Sequence, residues 1–236
     1  MRVAYLGGER LWSAPAICSE YQSGGPPANW EVPAYYRYGR RGIAITIYCA
    51  DGRNLDLHPD PYYKTYSSTA EEAACHRQRG PAGVYGAETS ACDSPYSLVN
   101  QTFQWINDNI RNDVDFVIWT GDSARHDNDE ALPRTPGQVI KQNEYIVSKF
   151  AEVFGSDEDK HGDVHEWKIP VVPTFGNNDV MPHNIFLQGP NRWTNKYLDI
   201  WRGIIPEEQR HQFQQGGWFT VEVIPRKLAV ISLNTM

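Results

Sequence analysis

Three short polar clusters in this chain carry residue types that can do chemistry: Asp56-Leu57-His58, Gly121-Asp122 and Gly176-Asn177-Asn178-Asp179. Carboxylate and amide oxygens and imidazole nitrogen are the donors that hard or borderline divalent cations prefer. A carboxylate such as Asp122 can bridge two ions. Two ions about 3.5 to 4 Å apart can clamp a phosphoryl group, generate hydroxide and stabilise a leaving oxygen. Hydrolysis of a phosphoester or phosphoanhydride is the chemistry this donor set favours. Taken singly, Asp and Asn after a strand are common turn formers or helix caps, so the order and context of the three clusters carry the signal.

Further candidates flank these clusters. Arg125, His126 and Asp127 directly follow the second, and His126 is a candidate for direct participation. All three could orient ligands or contact phosphate, or simply form a solvated polar loop. Asp179 and His183 stand in the same relation to the third cluster, with a structural role as the alternative for the histidine. His161, His165 and His211 lie in charged, polar stretches and read as solvent-facing.

Positioning these side chains requires strands that end beside one another, because ligands converge at the strand ends of open α/β sheets. Asp115–Thr120 (DFVIWT) and Ile169–Phe175 read as buried strands running into the second and third clusters. Between them Thr135-Pro136 opens a helix to about Phe154, with Val139, Ile146, Phe150 and Val153 inward. Upstream, Ser97 reads as the cap of a helix through Ile110, with Leu98, Thr102, Trp105, Ile106 and Ile110 on one face. Ile43–Cys49 is a further strand, and Trp218–Ile224 with Lys227–Leu233 reads as a hairpin around Pro225-Arg226. Strands alternating with helices give an α/β fold. Residues 1–42 read as an irregular lead-in and 43–236 as the domain.

With 236 residues, 40% hydrophobic and 12% aromatic, the chain can bury a core. A net charge of −7 argues against a general polyanion-binding surface and excludes a nucleic-acid partner. An anionic substrate must therefore be held locally, which bound cations can do even in a site built from carboxylates. The four cysteines, Cys18, Cys49, Cys75 and Cys92, show no C-x-x-C pairing. Asn100-Gln101-Thr102 is a glycosylation sequon, meaningful only in a secreted or lumenal protein. No stretch reaches the roughly 20 apolar residues needed to span a bilayer, and no export signal is visible.

The ordered D-x-H, GD and GN-x-D series resembles the first three blocks of the calcineurin-like metallophosphoesterases. Longer strings narrow this: LHPDPYYK from Leu57, WTGDSARHDND from Trp119, FGNNDVMPHN from Phe175 and LAVISLNTM from Leu228 are similar to the fungal endopolyphosphatases, relatives of the acid sphingomyelinase-like phosphodiesterases. The resemblance implies a layered β-sheet with flanking helices, of which this chain holds the first half of the usual double-sheet domain. It implies two divalent ions, with Asp56 and His58 on one, Asp122 bridging and Asn177 on the other. Inorganic polyphosphate would be the substrate, cleaved at internal phosphoanhydride bonds. The family setting is a vacuole, with a membrane anchor that this sequence lacks. Cys75 and Cys92 fall in a segment resembling the family's cysteine-containing insertion, which implies a disulfide between them. Cys18 and Cys49 have no assigned partner.

Two departures stand out. Asn178 occupies the place where the broader superfamily has a histidine acting on the leaving group, and an amide cannot serve as a titrating general acid. Upstream, Asp51-Gly52-Arg53-Asn54-Leu55 replaces the apolar run expected before Asp56. The family's later histidine blocks lie beyond the point matching Met236, so an inactive, metal-binding fragment is one competing expectation. A sphingomyelinase-like phosphodiesterase is the other.

Overall fold

The computed structural model describes residues 35–38, 42–45, 57–156 and 167–236. Asp56, Cys18, Cys49, His161 and His165 lie outside the described residues. So do the 46–49 part of the expected Ile43–Cys49 strand and most of the 1–42 lead-in.

The elements run β1 (Tyr35–Tyr38), β2 (Gly42–Ile45), β3 (Pro59–Asp60), β4 (Ser94–Pro95), α1 (Tyr96–Asn109), β5 (Val117–Trp119), α2 (Pro136–Phe154), β6 (Val171–Pro173), α3 (Arg192–Ile200), α4 (Arg210–Gly216), β7 (Phe219–Ile224) and β8 (Leu228–Ser232). Helix and strand are mixed, as an α/β reading requires. The strands pair two by two: β1–β2 and β7–β8 antiparallel, β3–β4 and β5–β6 parallel. One continuous sheet is thus not formed among the described residues. Side-chain bonds nonetheless hold β8 beside β6, with Ser232 Oγ donating to the Pro173 carbonyl at 2.7 Å and Thr174 Oγ1 to that of Leu233 at 2.9 Å.

The parallel β5–β6 pair positions the site. Both strands are apolar and short, and both release their polar clusters from the same, C-terminal edge. Helix α2 closes over them. Its start is set by Thr135, whose hydroxyl accepts from the Gln138 N–H while the Gln138 side chain accepts from the Thr135 N–H, a reciprocal cap ahead of Pro136. Val139, Ile146, Phe150 and Val153 are all buried, as their spacing predicts.

Helix α1 corrects two details. Its cap position is Pro95, and the Ser97 hydroxyl instead donates to the Val84 carbonyl. The buried stripe is Val99, Phe103, Ile106 and Ile110, one residue over from the stripe through Leu98 and Thr102. Both stripes satisfy helical spacing. The second wins because Phe103 meets Phe150 of α2 edge to face, ring centroids 5.0 Å apart.

Behind β5 and β6 lies an aromatic core: Trp119, Phe150, Phe175, Tyr197, Trp201, Phe213 and Phe219 pack ring against ring. Tyr197 comes from α3 and Trp201 is the cap at its C-terminal end, while the helix onset is fixed by Asn191 and Thr194 capping each other. At this core the Tyr197 hydroxyl donates to the Asp179 carbonyl at 2.7 Å, tying α3 to the third polar cluster.

Candidate metal centre

The second and third clusters meet backbone to backbone. A Cβ at Gly121 would sit 2.2 Å from the Thr174 oxygen, and one at Gly176 would sit 2.3 Å from the Asp122 nitrogen. Gly121 also holds φ +78°. Only glycine fits such a crossing, which is the physical content of the two Gly-led motifs. Asp122 itself takes φ 62°, a left-handed conformation that Asp tolerates better than most residues.

Asp179 is the clasp. It is fully buried. Its Oδ2 accepts from the Asp122 N–H at 2.7 Å and the Gly176 N–H at 2.9 Å, its Oδ1 from the Ser123 N–H at 2.7 Å and the Asn143 amide at 3.0 Å. Burial, reinforced by the Asp122 carboxylate, pushes its pKa up to about 6 against the pull of those donors. As placed, Asp179 joins the two loops and does not face a substrate.

Asn178 is buried and serves Asp122. Its N–H donates to Oδ1 at 2.7 Å and its side-chain amide faces Oδ2 at 3.4 Å. Asn177 is half-buried, and its carbonyl accepts from the Asn184 N–H. The first cluster arrives through His58, whose Nε2 lies 3.7 Å from Asp122 Oδ2. Thus His58, Asp122 and the 176–179 turn converge.

The donor chemistry at His58 fits a cation. Its Nδ1 lies 2.7 Å from the Ala124 carbonyl, which can only accept, so Nδ1 carries the hydrogen. Nε2 is left as a lone pair facing a carboxylate oxygen. Two acceptors facing each other is an unfavourable arrangement that a shared cation resolves, and a carbonyl-fixed tautomer is how metal-binding histidines are held. Burial, then the neighbouring His126, lowers the His58 pKa and keeps the ring neutral, the ligating form. His58, Asp93 and His126 also bring their donor atoms within 4.8 Å of one another, a His/Asp group able to hold an ion.

The loop after Gly121-Asp122 is braced by buried charge. Arg125 is fully buried, its guanidinium donating to the His126 carbonyl at 3.1 Å and the Leu132 carbonyl at 2.6 Å. As placed, it is an internal strut with no free face for an anion. Asp127 is exposed and accepts from the Arg134 N–H. Arg134, which sequence reasoning missed, is buried and reaches the Arg125 and Asn178 carbonyls, both at 2.9 Å, joining the two loops. Asp129 accepts from His76 Nδ1 and Arg77, and Arg77 holds its pKa well below the usual carboxylate range. His76 Nε2 also lies 2.6 Å from Asp60. No local signal in the sequence joins these residues.

His126 is exposed and lies against His58, ring centroids 4.0 Å apart. The Asp93 carboxylate beside it raises its pKa above the ordinary histidine value, against some burial. His183 is exposed, as is His211. Asn100 is exposed on α1, its side-chain oxygen accepting from the Tyr145 hydroxyl. Cys75 and Cys92 form a disulfide with Cα atoms 5.6 Å apart, the pairing implied by the resemblance.

No protein-family model matches the chain. Among curated relatives it is 59% identical over 181 residues, 77% of this chain and 24% of the relative, to the endopolyphosphatase of Neurospora crassa. It is 42% identical over 186 residues to that of Saccharomyces cerevisiae, covering 77% of this chain and 27% of the relative. Over this stretch the chain is homologous to the fungal endopolyphosphatases. The fission yeast Schizosaccharomyces pombe endopolyphosphatase is 34% identical, covering 77% of this chain and 31% of the relative. The chain therefore spans about a quarter to a third of the length of the endopolyphosphatases it matches. Among the described residues no helix is long and apolar enough to cross a membrane.

Proposed function

We propose that the chain contributes the first metal-binding blocks of a hydrolase that cleaves internal phosphoanhydride bonds of inorganic polyphosphate. The observation that carries this reading is the homology to proteins named endopolyphosphatase, 59% identical over 181 residues to that of Neurospora crassa. The geometry supports it. The clusters that leave one edge of the β5–β6 pair meet His58, whose Nε2 lies 3.7 Å from Asp122 Oδ2.

In this reading Asp56, His58, Asp122 and Asn177 would hold two divalent ions. When bound, the ions supply Lewis acidity and activate water. The chain's own residues do the rest. The Ala124 carbonyl fixes the His58 tautomer, Asn178 orients the Asp122 carboxylate, and Asp179 with Arg134 locks the two loops in register. Exposed His126, beside His58, is the group best placed to donate to or accept from a phosphoryl oxygen. The disulfide supports an oxidising destination such as a vacuole lumen.

The test is a cleavage assay on long-chain polyphosphate with Mn²⁺, Mg²⁺, Co²⁺ or Zn²⁺, products sized on a gel, alongside a phosphodiester substrate. We expect cation-dependent internal shortening, abolished by chelator. His58→Ala should lower cation affinity about 10- to 100-fold or more, read by calorimetry. Phosphodiester turnover without polyphosphate shortening would overturn the assignment.

A further inference from the structure

Asp93 grips His126 at two points. Its Oδ2 accepts the backbone N–H of His126 at 2.7 Å, and its Oδ1 lies 2.7 Å from Nδ1 of the same residue. The two residues are 33 positions apart, and the carboxylate is nearly buried, 8% exposed, while the imidazole is 47% exposed. A grip on both the backbone and the ring fixes where the ring sits as well as which way it turns.

The segment that delivers Asp93 is itself anchored. Asp93 follows Cys92, which is bonded to Cys75, and Cys75 precedes His76 and Arg77, which hold Asp129. The Ala91 carbonyl accepts from the Asn128 amide at 2.6 Å. The disulfide therefore joins two arms that close on the same short loop, one at Asp129 and one at His126 and Asn128.

A carboxylate can only accept. Oδ2 is committed to an obligatory backbone donor, so Oδ1 must receive its hydrogen from Nδ1. The Nδ1–H tautomer follows, leaving Nε2 as the free nitrogen. We propose that Asp93 is a positioning residue for His126, fixing the Nδ1–H tautomer so that Nε2 is the nitrogen presented to the phosphate chain. This rests on the polyphosphate reading for its substrate, but not for its tautomer.

The isosteric variant Asp93→Asn gives a sharp test. Its single acceptor oxygen must stay on the His126 N–H, because that donor cannot change. Its NH₂ then faces Nδ1, which has to become the acceptor, and the hydrogen moves to Nε2. The fold and the backbone grip are kept while the tautomer inverts.

The experiment uses the whole chain labelled with ¹⁵N-histidine, metal-free and at alkaline pH, with two-bond ¹H–¹⁵N ring correlations and His126 assigned by its loss in His126→Gln. Wild type should show the Nδ1–H form and Asp93→Asn the Nε2–H form. In cation-supported polyphosphate cleavage, Asp93→Asn should lower kcat about 10- to 100-fold with KM little changed. Asp93→Asn combined with His126→Gln should be no slower than His126→Gln alone, because a residue acting through another adds nothing once that other is gone. An unchanged tautomer in Asp93→Asn overturns the proposal, as do fully additive rate losses. If wild type cleaves no polyphosphate, the functional reading falls, and the ring correlations still decide the role of Asp93.

Discussion

Replacing Asp179 with Asn sets two large effects against each other. The carboxylate accepts four hydrogen bonds, two on each oxygen. In Asn one oxygen becomes an NH₂ pointing at two donors, which costs two bonds to a charged acceptor, about 3 to 6 kcal/mol. Against this, the buried charge disappears. The Asp179 pKa stands near 6, well above the ordinary carboxylate value of 3.8, a difference equivalent to about 3 kcal/mol of disfavoured ionisation. The raised pKa is already net of the pull of those donors, so bond loss and relief of charge both act within it, and the pH dependence of the substitution isolates the titration. Because the folded pKa is raised, the folded state binds more protons than the unfolded one between about pH 4 and pH 6. Its contribution to stability therefore falls as pH climbs through that window and is flat above it. The deficit of Asp179→Asn should be larger near pH 4 than near pH 7, by up to about 3 kcal/mol. Urea denaturation of both proteins at the two pH values measures this, since titrations common to both cancel in the difference. A deficit that grows with pH would refute the argument, because it would mean the four donors hold the carboxylate pKa down.

Two further outcomes follow from the same loops. Gly121→Ala forces a Cβ into φ +78° and within 2.2 Å of the Thr174 oxygen. The conformation alone costs about 1 to 2 kcal/mol and the clash is with backbone, so a thermal melt should show a loss of at least that size together with weakened cation binding. Replacing Cys75 and Cys92 by Ser opens a loop with a sequence separation of 17, for which the chain-entropy argument gives about 3 kcal/mol. An unchanged melting midpoint on reduction would show that the bridge is not formed in solution.

The parts of the fold visible in the sequence are those whose causes are local. Thr135-Pro136 with Gln138 specifies the start of α2 by side-chain chemistry three residues apart, and the β7–β8 hairpin follows from two apolar runs around Pro225-Arg226. The start of α3 carries the same kind of signal in Asn191 and Thr194. On helix α1 the expected Ile106 and Ile110 are buried, whereas Leu98-Thr102 and Val99-Phe103 are equally periodic with them, and only Phe150 of another helix decides between the two pairs. The Gly-led clusters were legible as motifs, while the reason for their glycines, a crossing of two backbones, was not. Asp93, His76 and Arg134 were invisible for the same reason: their partners are 33, 53 and 44 positions away.

Arg125 shows why residue type alone misleads about an anion site. An arginine next to a catalytic-looking aspartate suggests phosphate binding, yet its guanidinium is buried and donates to two carbonyls, and buried Arg134 behind it likewise donates to carbonyls. The groups that line the convergence point are instead Asp122, Asp93, two neutral or partly charged imidazoles and an amide, on a chain of net charge −7. Such a surface repels a polyanion. Neither buried arginine can turn outward without orphaning carbonyls inside the loop, each at a cost of about 1 to 3 kcal/mol. In the polyphosphate reading the attraction must then come from cations held by the carboxylates themselves. Chelation should consequently abolish substrate binding as well as turnover, since the same ions would provide both.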